Sequence, residues 1–421
     1  MKPSLQYDAV VIGAGVAGLT AAARLAEGGA SVCVLAKGVG STHLAAGTID
    51  VLGYDGERVE SPAQALPGFA AANPDHPYAL LGPDSVGPAL DWFSERVEAG
   101  PKPGYRYRGS LERNTLLPTA VGVARPSALF PETMAPGDLA DTTPICFVGM
   151  PVMRDFHPSL CAANVRRLGI ETRALEIDVD LGRAEANALG LARKLDDPAQ
   201  RAAFTAGLAT RLHGEFRVGL PAIAGLADPH GVWTDLQERL GRPVFEIPTL
   251  PPSVPGMRVY DILRAALRAA GGRLVFGTAV VGAERDGERV VALRGHTSGR
   301  DTIYGARWIV LAAGGVASGA LELGSDWQAR DTVLGLPLRG MPAGAEPRFR
   351  AEYFADQPMA GVGIAVDGSL LAEGTENVFV AGASLGGAHP WKEHSGEGIA
   401  ITSGYAAADA ILQREGSKAA A

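Results

Sequence analysis

Three glycines near the start of the chain have the spacing of a nucleotide-binding turn. Gly13, Gly15 and Gly18 follow a short apolar run and precede residues 19–27, which are predicted to form a helix. A second apolar run at residues 31–35 completes the order strand, glycine turn, helix, strand. In such a turn the first glycine permits the bend, the second lets a pyrophosphate approach the backbone, and the third allows close helix packing. The pattern predicts a phosphate site at the helix N-terminus.

The acidic residue that usually ends the second strand and binds the ribose hydroxyls is absent. Ala36 and Lys37 occupy that place. Two interpretations of Lys37 stay open: a solvated loop residue and a cation that contacts the cofactor. The nucleotide half of a dinucleotide is therefore either held differently or missing, and a mononucleotide such as FMN would not need the carboxylate.

The loop after the second strand carries the candidate catalytic residues. Ser41, His43 and Gly47 lie in a small, polar, glycine-containing segment that we expect to pass close to the ligand. Ser41 and His43 could donate or accept hydrogen bonds there, and the ordinary pKa of a histidine lies near neutrality. The alternative is a loop histidine that only packs.

Two later strands also end in glycines. Residues 306–315 are predicted to form a buried strand, and residues 378–381 another that a glycine-rich turn follows. A long helix over residues 399–412 would point its N-terminus at the ligand. Three such turns predict one nucleotide-binding domain that is built from both ends of the chain. The glycines assigned to the cofactor at these places are Gly314, Gly315, Gly382, Gly386 and Gly398.

The length of 421 residues suggests two or three structural units. Prolines and glycines recur from residue 62 to 255, where the strand–turn–helix pattern is interrupted. We therefore expect an α/β protein with a Rossmann-like FAD/NAD(P)-binding domain, a three-layer arrangement around a mostly parallel sheet, and an inserted α+β cap domain. The expected boundaries are 1–61 and 256–421 for the binding domain and 62–255 for the insertion.

Composition argues against several classes of function. The net charge of −8 and the lack of a basic stripe argue against nucleic-acid binding. The three cysteines form no C-x-x-C pair, so neither a zinc site nor an iron–sulfur cluster is expected. No signal peptide and no apolar run of membrane-spanning length is evident, so we expect a cytoplasmic protein that reaches a membrane only through a partner.

The chain resembles flavoproteins of the glutathione-reductase and fumarate-reductase kind through residues 10–18, 310–315 and 378–387. More narrowly, it is similar to the family of B-type subunits of anaerobic glycerol-3-phosphate dehydrogenases. The segments that carry this narrower resemblance are residues 35–38, 41–50, 117–119, 153–160 and 335–337.

The resemblance implies a flavin subunit, expected to hold FMN with FAD as the alternative. It implies an enzyme complex that oxidises sn-glycerol 3-phosphate, a small phosphorylated substrate, to dihydroxyacetone phosphate. The implied partners are a sister flavoprotein, which carries the oxidation, and an iron–sulfur protein, which passes electrons to quinone. A peripheral position at the inner membrane through that complex is the implied location.

One segment departs from the family pattern. His389 stands where the family has an acidic residue, and residues 391–394 are bulkier and more charged than expected. Two rival functions therefore stay open. One is a non-catalytic assembly subunit with a degenerate flavin site, and the other is a different flavoprotein dehydrogenase or reductase of the same superfamily.

Overall fold

A computed structural model describes residues 5–179, 187–214, 216–344, 346–353 and 355–420. The chain divides into two units. The first unit consists of Met1–Ser41, Gln64–Phe93 and Leu263–Ala421, and the second of Thr42–Ala63 and Ser94–Ile262. Both ends of the chain therefore contribute to the first unit.

The helices of the described residues are α1 (Val16–Glu27), α2 (Pro62–Ala72), α3 (Pro77–Leu81), α4 (Val86–Glu98), α5 (Pro158–Arg166), α6 (Ala188–Leu195), α7 (Pro198–Ala209), α8 (Pro229–Leu240), α9 (Val254–Ala269), α10 (Pro390–Glu393) and α11 (Gly396–Ala420). The strands are β1 (Leu5–Ile12), β2 (Val32–Ala36), β3 (Tyr54–Asp55), β4 (Glu57–Arg58), β5 (Tyr107–Gly109), β6 (Thr115–Pro118), β7 (Ala124–Ser127), β8 (Leu129–Pro131), β9 (Ile145–Gly149), β10 (Thr172–Glu176), β11 (Arg217–Pro221), β12 (Val244–Ile247), β13 (Arg273–Phe276), β14 (Ala279–Asp286), β15 (Arg289–Thr297), β16 (Arg300–Leu311), β17 (Leu321–Leu323), β18 (Ala329–Asp331), β19 (Leu338–Arg339), β20 (Gly363–Ile364) and β21 (Val378–Val380).

The main sheet of the first unit has seven strands in the order β13-β2-β1-β16-β15-β14, with β21 beside β16. Its centre is parallel because β2, β1, β16 and β21 run in the same direction. β16 changes the character of the sheet, since its first half pairs antiparallel with β15 and its second half parallel with β1. The central strands are almost wholly apolar and buried, as strands covered on both faces must be.

Two helices from opposite ends of the chain pack against each other in this unit. The backbones of α1 and α11 approach so closely at Gly404 that an added Cβ would lie 2.4 Å from the carbonyl oxygen of Ala17. An ion pair between Arg24 Nε and Asp409 Oδ1, 2.9 Å apart, also joins them. Small residues at the crossing therefore let α11 lie beside the helix that follows the first glycine turn.

The second unit is built around a four-stranded sheet in the order β10-β9-β11-β12. All its neighbouring strands are parallel. Helices α5 to α8 connect these strands along the chain, as parallel pairing requires. Phe147 and Phe245 meet edge to face with ring centroids 6.3 Å apart inside its apolar core. Small antiparallel pairs, β3–β4, β5–β8 and β6–β7, complete the unit.

The structure confirms the predicted α/β class and the mostly parallel sheet of the first unit. It differs in the inserted unit, whose principal sheet is parallel, so an α+β description fits only the small antiparallel pairs. The division also departs from the expected boundaries, because Gln64–Phe93 belongs with the first unit. The composition of that segment resembles the insertion, but Trp92 Nε1 donates to Glu27 Oε2 of the first unit at 2.8 Å.

Candidate functional site

The first glycine turn lies at the carboxyl end of β1. Gly13 has a φ of +109°, and an added Cβ would lie 2.2 Å from the carbonyl oxygen of Ala312. At Gly18 an added Cβ would lie 2.1 Å from the carbonyl oxygen of Gly13. Both positions therefore require glycine, Gly13 for conformation and contact and Gly18 for the approach of α1 to the turn.

Gly15 differs from its two neighbours in the motif. It caps α1 in an extended conformation, and nothing in the described residues lies within 4 Å of the place where a Cβ would stand. The fold itself therefore does not require glycine there. Open space beside the N-terminus of a twelve-residue helix suits a phosphate group, because the free N–H groups and the helix dipole favour an anion.

The loop after β2 passes directly over this turn. Gly40 has a φ of +67°, and an added Cβ would lie 2.9 Å from the Cα of Gly15. The next residue, Ser41, is exposed. The structure thus brings Ser41 within a few residues of the candidate phosphate position, although the sequence pattern did not single out Gly40.

The second glycine turn, after β16, joins the first. Its Ala312 receives the contact from Gly13 described above, and Gly314 has a φ of +88°. Ser384 Oγ donates to the carbonyl oxygen of Gly314 at 2.8 Å. An added Cβ at Gly315 would lie 2.8 Å from the carbonyl oxygen of Ala383. The second turn therefore lies between the first turn and the third.

The third turn, after β21, reaches both α1 and α11. Gly382 has a φ of +69°, and an added Cβ would lie 2.8 Å from the Cβ of Ala17. Its backbone N–H donates to Ser403 Oγ at 2.8 Å. Gly386 lies at the far end of the turn, where an added Cβ would be 2.8 Å from the carbonyl oxygen of Gly361. We define Gly13, Gly15, Gly18, Gly314, Gly315 and Gly382 as the glycine cradle.

Gly398 lies in the first turn of α11, as the sequence predicted for a helix start. The preceding helix α10 begins after His389, whose backbone N–H donates to Glu393 Oε1 at 2.8 Å. His394 follows α10 in a left-handed conformation with a φ of +50°. The altered segment at 389–394 is thus a structured turn that leads into α11.

The residues present fit a nucleotide pyrophosphate in the cradle, because Gly15 leaves space at a helix N-terminus and its neighbours hold the backbone there. The end of β2 lacks a ribose acceptor on its last residue, Ala36, which is buried. Lys37 is exposed beside it. Its side chain is therefore accessible, and its assignment to the cofactor remains a prediction.

His43 and Gly47 lie in the second unit. The His43 ring meets Tyr260 edge-on with centroids 5.1 Å apart, and its carbonyl oxygen accepts from the backbone N–H of Ser253 at 2.9 Å. Burial lowers the pKa of His43, and the nearby charge of Asp261 opposes this only in part. The imidazole is therefore neutral at pH 7 and able to accept a proton.

Gly47 is held by both of its faces within the same unit. It has a φ of +81°, and an added Cβ would lie 2.3 Å from the Cβ of Pro255. Its carbonyl oxygen accepts from Tyr107 Oη at 2.5 Å. The conformation and the contact both require glycine, which is a structural role that the sequence argument did not foresee.

Several residues that shape the cradle carried no sequence signal. Ser384 and Ser403 each fix a backbone group of a glycine turn, yet serine beside glycine is common in loops. Within the described ranges, no group of three or more histidine, cysteine or acidic side chains is placed to hold a metal ion. Of the helices described, none has the length and apolar character needed to cross a bilayer.

Comparison with known proteins gives consistent matches along the chain. Residues 8–399 match the family described as FAD binding domain. The B-type subunit of a probable anaerobic glycerol-3-phosphate dehydrogenase from Halobacterium salinarum is 33% identical, with 97% of this chain and 99% of that protein covered. The corresponding B-type subunit of the anaerobic glycerol-3-phosphate dehydrogenase of Pectobacterium atrosepticum is 30% identical, with 97% and 99% covered. A solved E. coli quinol fumarate reductase chain is 10% identical, with a TM-score of 0.45 over 98% of this chain and 71% of that one.

Proposed function

The chain belongs to the FAD binding domain family and to the family of B-type subunits of anaerobic glycerol-3-phosphate dehydrogenase, and from this premise we propose that it is the flavin-bearing subunit of a quinone-linked glycerol-3-phosphate dehydrogenase. The proposed reaction is oxidation of sn-glycerol 3-phosphate to dihydroxyacetone phosphate. The observation that carries the proposal is the glycine cradle, which leaves open space at the N-terminus of α1.

The proposed cofactor is FAD. The resemblance of the sequence implied FMN, with FAD as the alternative, but the family that matches residues 8–399 is an FAD binding domain. A pyrophosphate is present in FAD and absent from FMN, and the cradle suits a pyrophosphate. Since Ala36 provides no carboxylate, the ribose of FAD would need another partner, and exposed Lys37 is the side chain next to that place.

A bound flavin would accept the two electrons that leave the secondary alcohol as it becomes a ketone. The protein must supply orientation and a place for the hydroxyl proton. We assign the proton to His43, whose neutral imidazole has a free electron pair at pH 7, because burial lowers its pKa. Ser41 is proposed as a hydrogen-bonding residue, and the N-terminus of α1 as the phosphate-binding element.

The proposed partners are a sister flavoprotein and an iron–sulfur protein of the same dehydrogenase complex. The relatives are named as one lettered subunit of their enzyme, which supports a complex of several chains. All three cysteines of this chain are buried and free. The electrons would therefore leave through cofactors of another chain, and contact with the inner membrane would be made through that partner.

Anaerobic reduction of the bound flavin tests the function. The purified chain, alone and with its co-expressed partners, is mixed with sn-glycerol 3-phosphate, and the visible flavin absorption is followed. Bleaching by glycerol 3-phosphate and not by glycerol supports the proposal. A flavin that is not reduced even in the complete complex rejects it and favours an assembly role, and reduction by a dicarboxylate instead favours another dehydrogenase.

A further inference from the structure

Two arginines in the second unit are held side by side by one carboxylate. Arg106 Nε lies 2.5 Å from Glu132 Oε2, and Arg108 Nη2 lies 2.6 Å from Glu132 Oε1. The arginine side chains are 45% and 49% exposed, whereas that of Glu132 is only 10% exposed. The carboxylate thus fixes two accessible guanidinium groups from below.

The backbone makes this arrangement rigid. Arg108 pairs with Phe130 across β5 and β8, and the backbone N–H of Glu132 donates to the carbonyl oxygen of Arg106 at 2.9 Å. The alternate residues Tyr105 and Tyr107 are buried, so the two arginines lie on the other face of the strand. Their positions are therefore set before any ligand arrives.

A histidine and a helix terminus add to the positive character of the cluster. His230 Nδ1 lies 3.8 Å from Glu132 Oε2. His230 stands in the first turn of α8, a twelve-residue helix whose N-terminus carries the positive end of its dipole. Two guanidinium charges against one carboxylate leave one net positive charge, which the more distant Glu98 near Arg106 reduces in part. In a chain of net charge −8 this is a local reversal of sign.

Other arginine clusters of this unit are built differently. Arg113 pairs with Asp138 one to one. Asp235 also meets two arginines, but the Arg201 side chain is only 12% exposed and donates in addition to the carbonyl oxygen of Leu195. That cluster joins elements of the fold, whereas Arg106 and Arg108 present their remaining N–H groups outward.

We propose that Arg106 and Arg108, with His230 and the first turn of α8, bind the phosphate group of a small phosphate monoester. Two planar guanidinium forks offer several donors to the three terminal oxygens of a phosphate, and charge-assisted hydrogen bonds of this kind are strong. The choice of sn-glycerol 3-phosphate as the monoester rests on the proposed function. The site gives this chain direct contact with the substrate.

Calorimetric titration of the full-length protein tests the site. The ligands are sn-glycerol 3-phosphate, inorganic phosphate and glycerol. We expect both phosphates to bind and glycerol not to bind. The double variant R106Q/R108Q should weaken both phosphate affinities by about tenfold or more. R113Q, which removes an exposed arginine of the same unit, is the matched control and should bind as the wild type does.

The variant R106K/R108K keeps the charges that Glu132 requires but lacks the planar fork. It should bind phosphate about threefold or more weakly while keeping the melting temperature of the control. Unchanged phosphate affinity in both double variants overturns the proposal, as does binding of glycerol equal to that of its phosphate.

The two proposals fail separately. If phosphate monoesters bind at Arg106 and Arg108 but glycerol 3-phosphate never reduces the flavin of the complex, the proposed function is rejected and the site stands. If the flavin is reduced with the same dependence on substrate concentration in R106Q/R108Q as in R113Q, the site is rejected and the function stands.

Discussion

His76 Nε2 and Glu393 Oε2 lie 3.2 Å apart in the interior of the first unit, although 317 positions separate them in the chain. The backbone N–H of Tyr78 donates to His76 Nδ1 at 3.1 Å, so Nδ1 is an acceptor and the ring proton is on Nε2. Ser395 Oγ donates to the same carboxylate oxygen at 2.7 Å. This network fixes the turn that leads into α11.

We predict that Glu393→Gln destabilises the protein by ~1–3 kcal/mol, because buried donors lose their charged acceptor. Denaturant unfolding measures the free energy, and Glu373→Gln, at an exposed position, is the control. Burial alone would raise the pKa of Glu393, but the hydrogen bonds from His76 and Ser395 hold it below its ordinary 4.5.

The pH dependence of that stabilisation follows from the lowered pKa. The stabilisation from Glu393 is fully present above about pH 4.5, the ordinary pKa of a glutamate, and is lost as the pH falls through the lower folded-state pKa. The stability difference between wild type and Glu393→Gln should therefore shrink below pH 4.5. A difference that stays constant from pH 7 to pH 3 contradicts the assignment.

Gly15 separates cofactor binding from folding. We predict that Gly15→Ala leaves the melting temperature unchanged, because an added Cβ meets nothing within 4 Å, but lowers flavin affinity about tenfold or more by filling the phosphate approach. Gly68→Ala, also in open space in the first unit, is the control for the substitution itself. Full flavin content in Gly15→Ala would remove Gly15 from the cofactor site.

Gly13→Ala should behave in the opposite way. Its φ of +109° and the 2.2 Å contact with the carbonyl oxygen of Ala312 leave no place for a methyl group. We expect loss of folded protein, measured as the soluble yield and the circular dichroism of the purified fraction. A stable Gly13→Ala protein would show that the first turn can rearrange.

The protonation state of His43 should control the rate of flavin reduction. The lowered pKa keeps the imidazole neutral at pH 7, and acid protonates it as the pH falls through that pKa, below the ordinary 6.5. The reduction rate should therefore fall in acid. His43→Gln should lower the rate about 100-fold and remove this pH dependence, as expected for a lost general base. His213→Gln, an exposed histidine, is the control.

The same pH profile in His43→Gln as in His213→Gln would reduce His43 to a packing residue against Tyr260. Stopped-flow measurement at pH 5 to 8 distinguishes the two results.

The buried pair Arg258–Glu246 should dominate the stability of the second unit. Both side chains are almost fully buried, with Arg258 Nη1 and Glu246 Oε2 2.6 Å apart. Glu246→Gln leaves a buried guanidinium without its counter-charge and should cost about 3–5 kcal/mol. The double variant Arg258→Met/Glu246→Leu should lose less. Denaturant unfolding, with exposed Glu238→Gln as the control, measures both.

The sequence predicted the elements that contain their own signal. The first strand, the turn and the second strand lie where the apolar runs and glycines indicate. The start of α1 was wrong by three residues, since the helix begins at Val16, directly after its cap. Residues 300–311 form one strand where two were expected, because β16 changes partner from β15 to β1 along its length.

What the sequence could not reveal are contacts between distant segments. The glycine motif predicted where the first turn lies, but nothing in it indicated that Ser384 would bind the carbonyl of Gly314, or that His76 would reach Glu393. A histidine–glutamate contact needs only two common residue types and leaves no periodicity. Such pairs are determined by how the segments pack, which one sequence does not encode locally.

Identification of the flavin that the purified protein releases tests the central claim most directly. The protein is denatured, and the released cofactor is separated by chromatography beside FAD and FMN standards. The cradle and the family match predict FAD, close to one molecule per chain. Release of FMN alone, or of no flavin after incubation with FAD, would contradict the account.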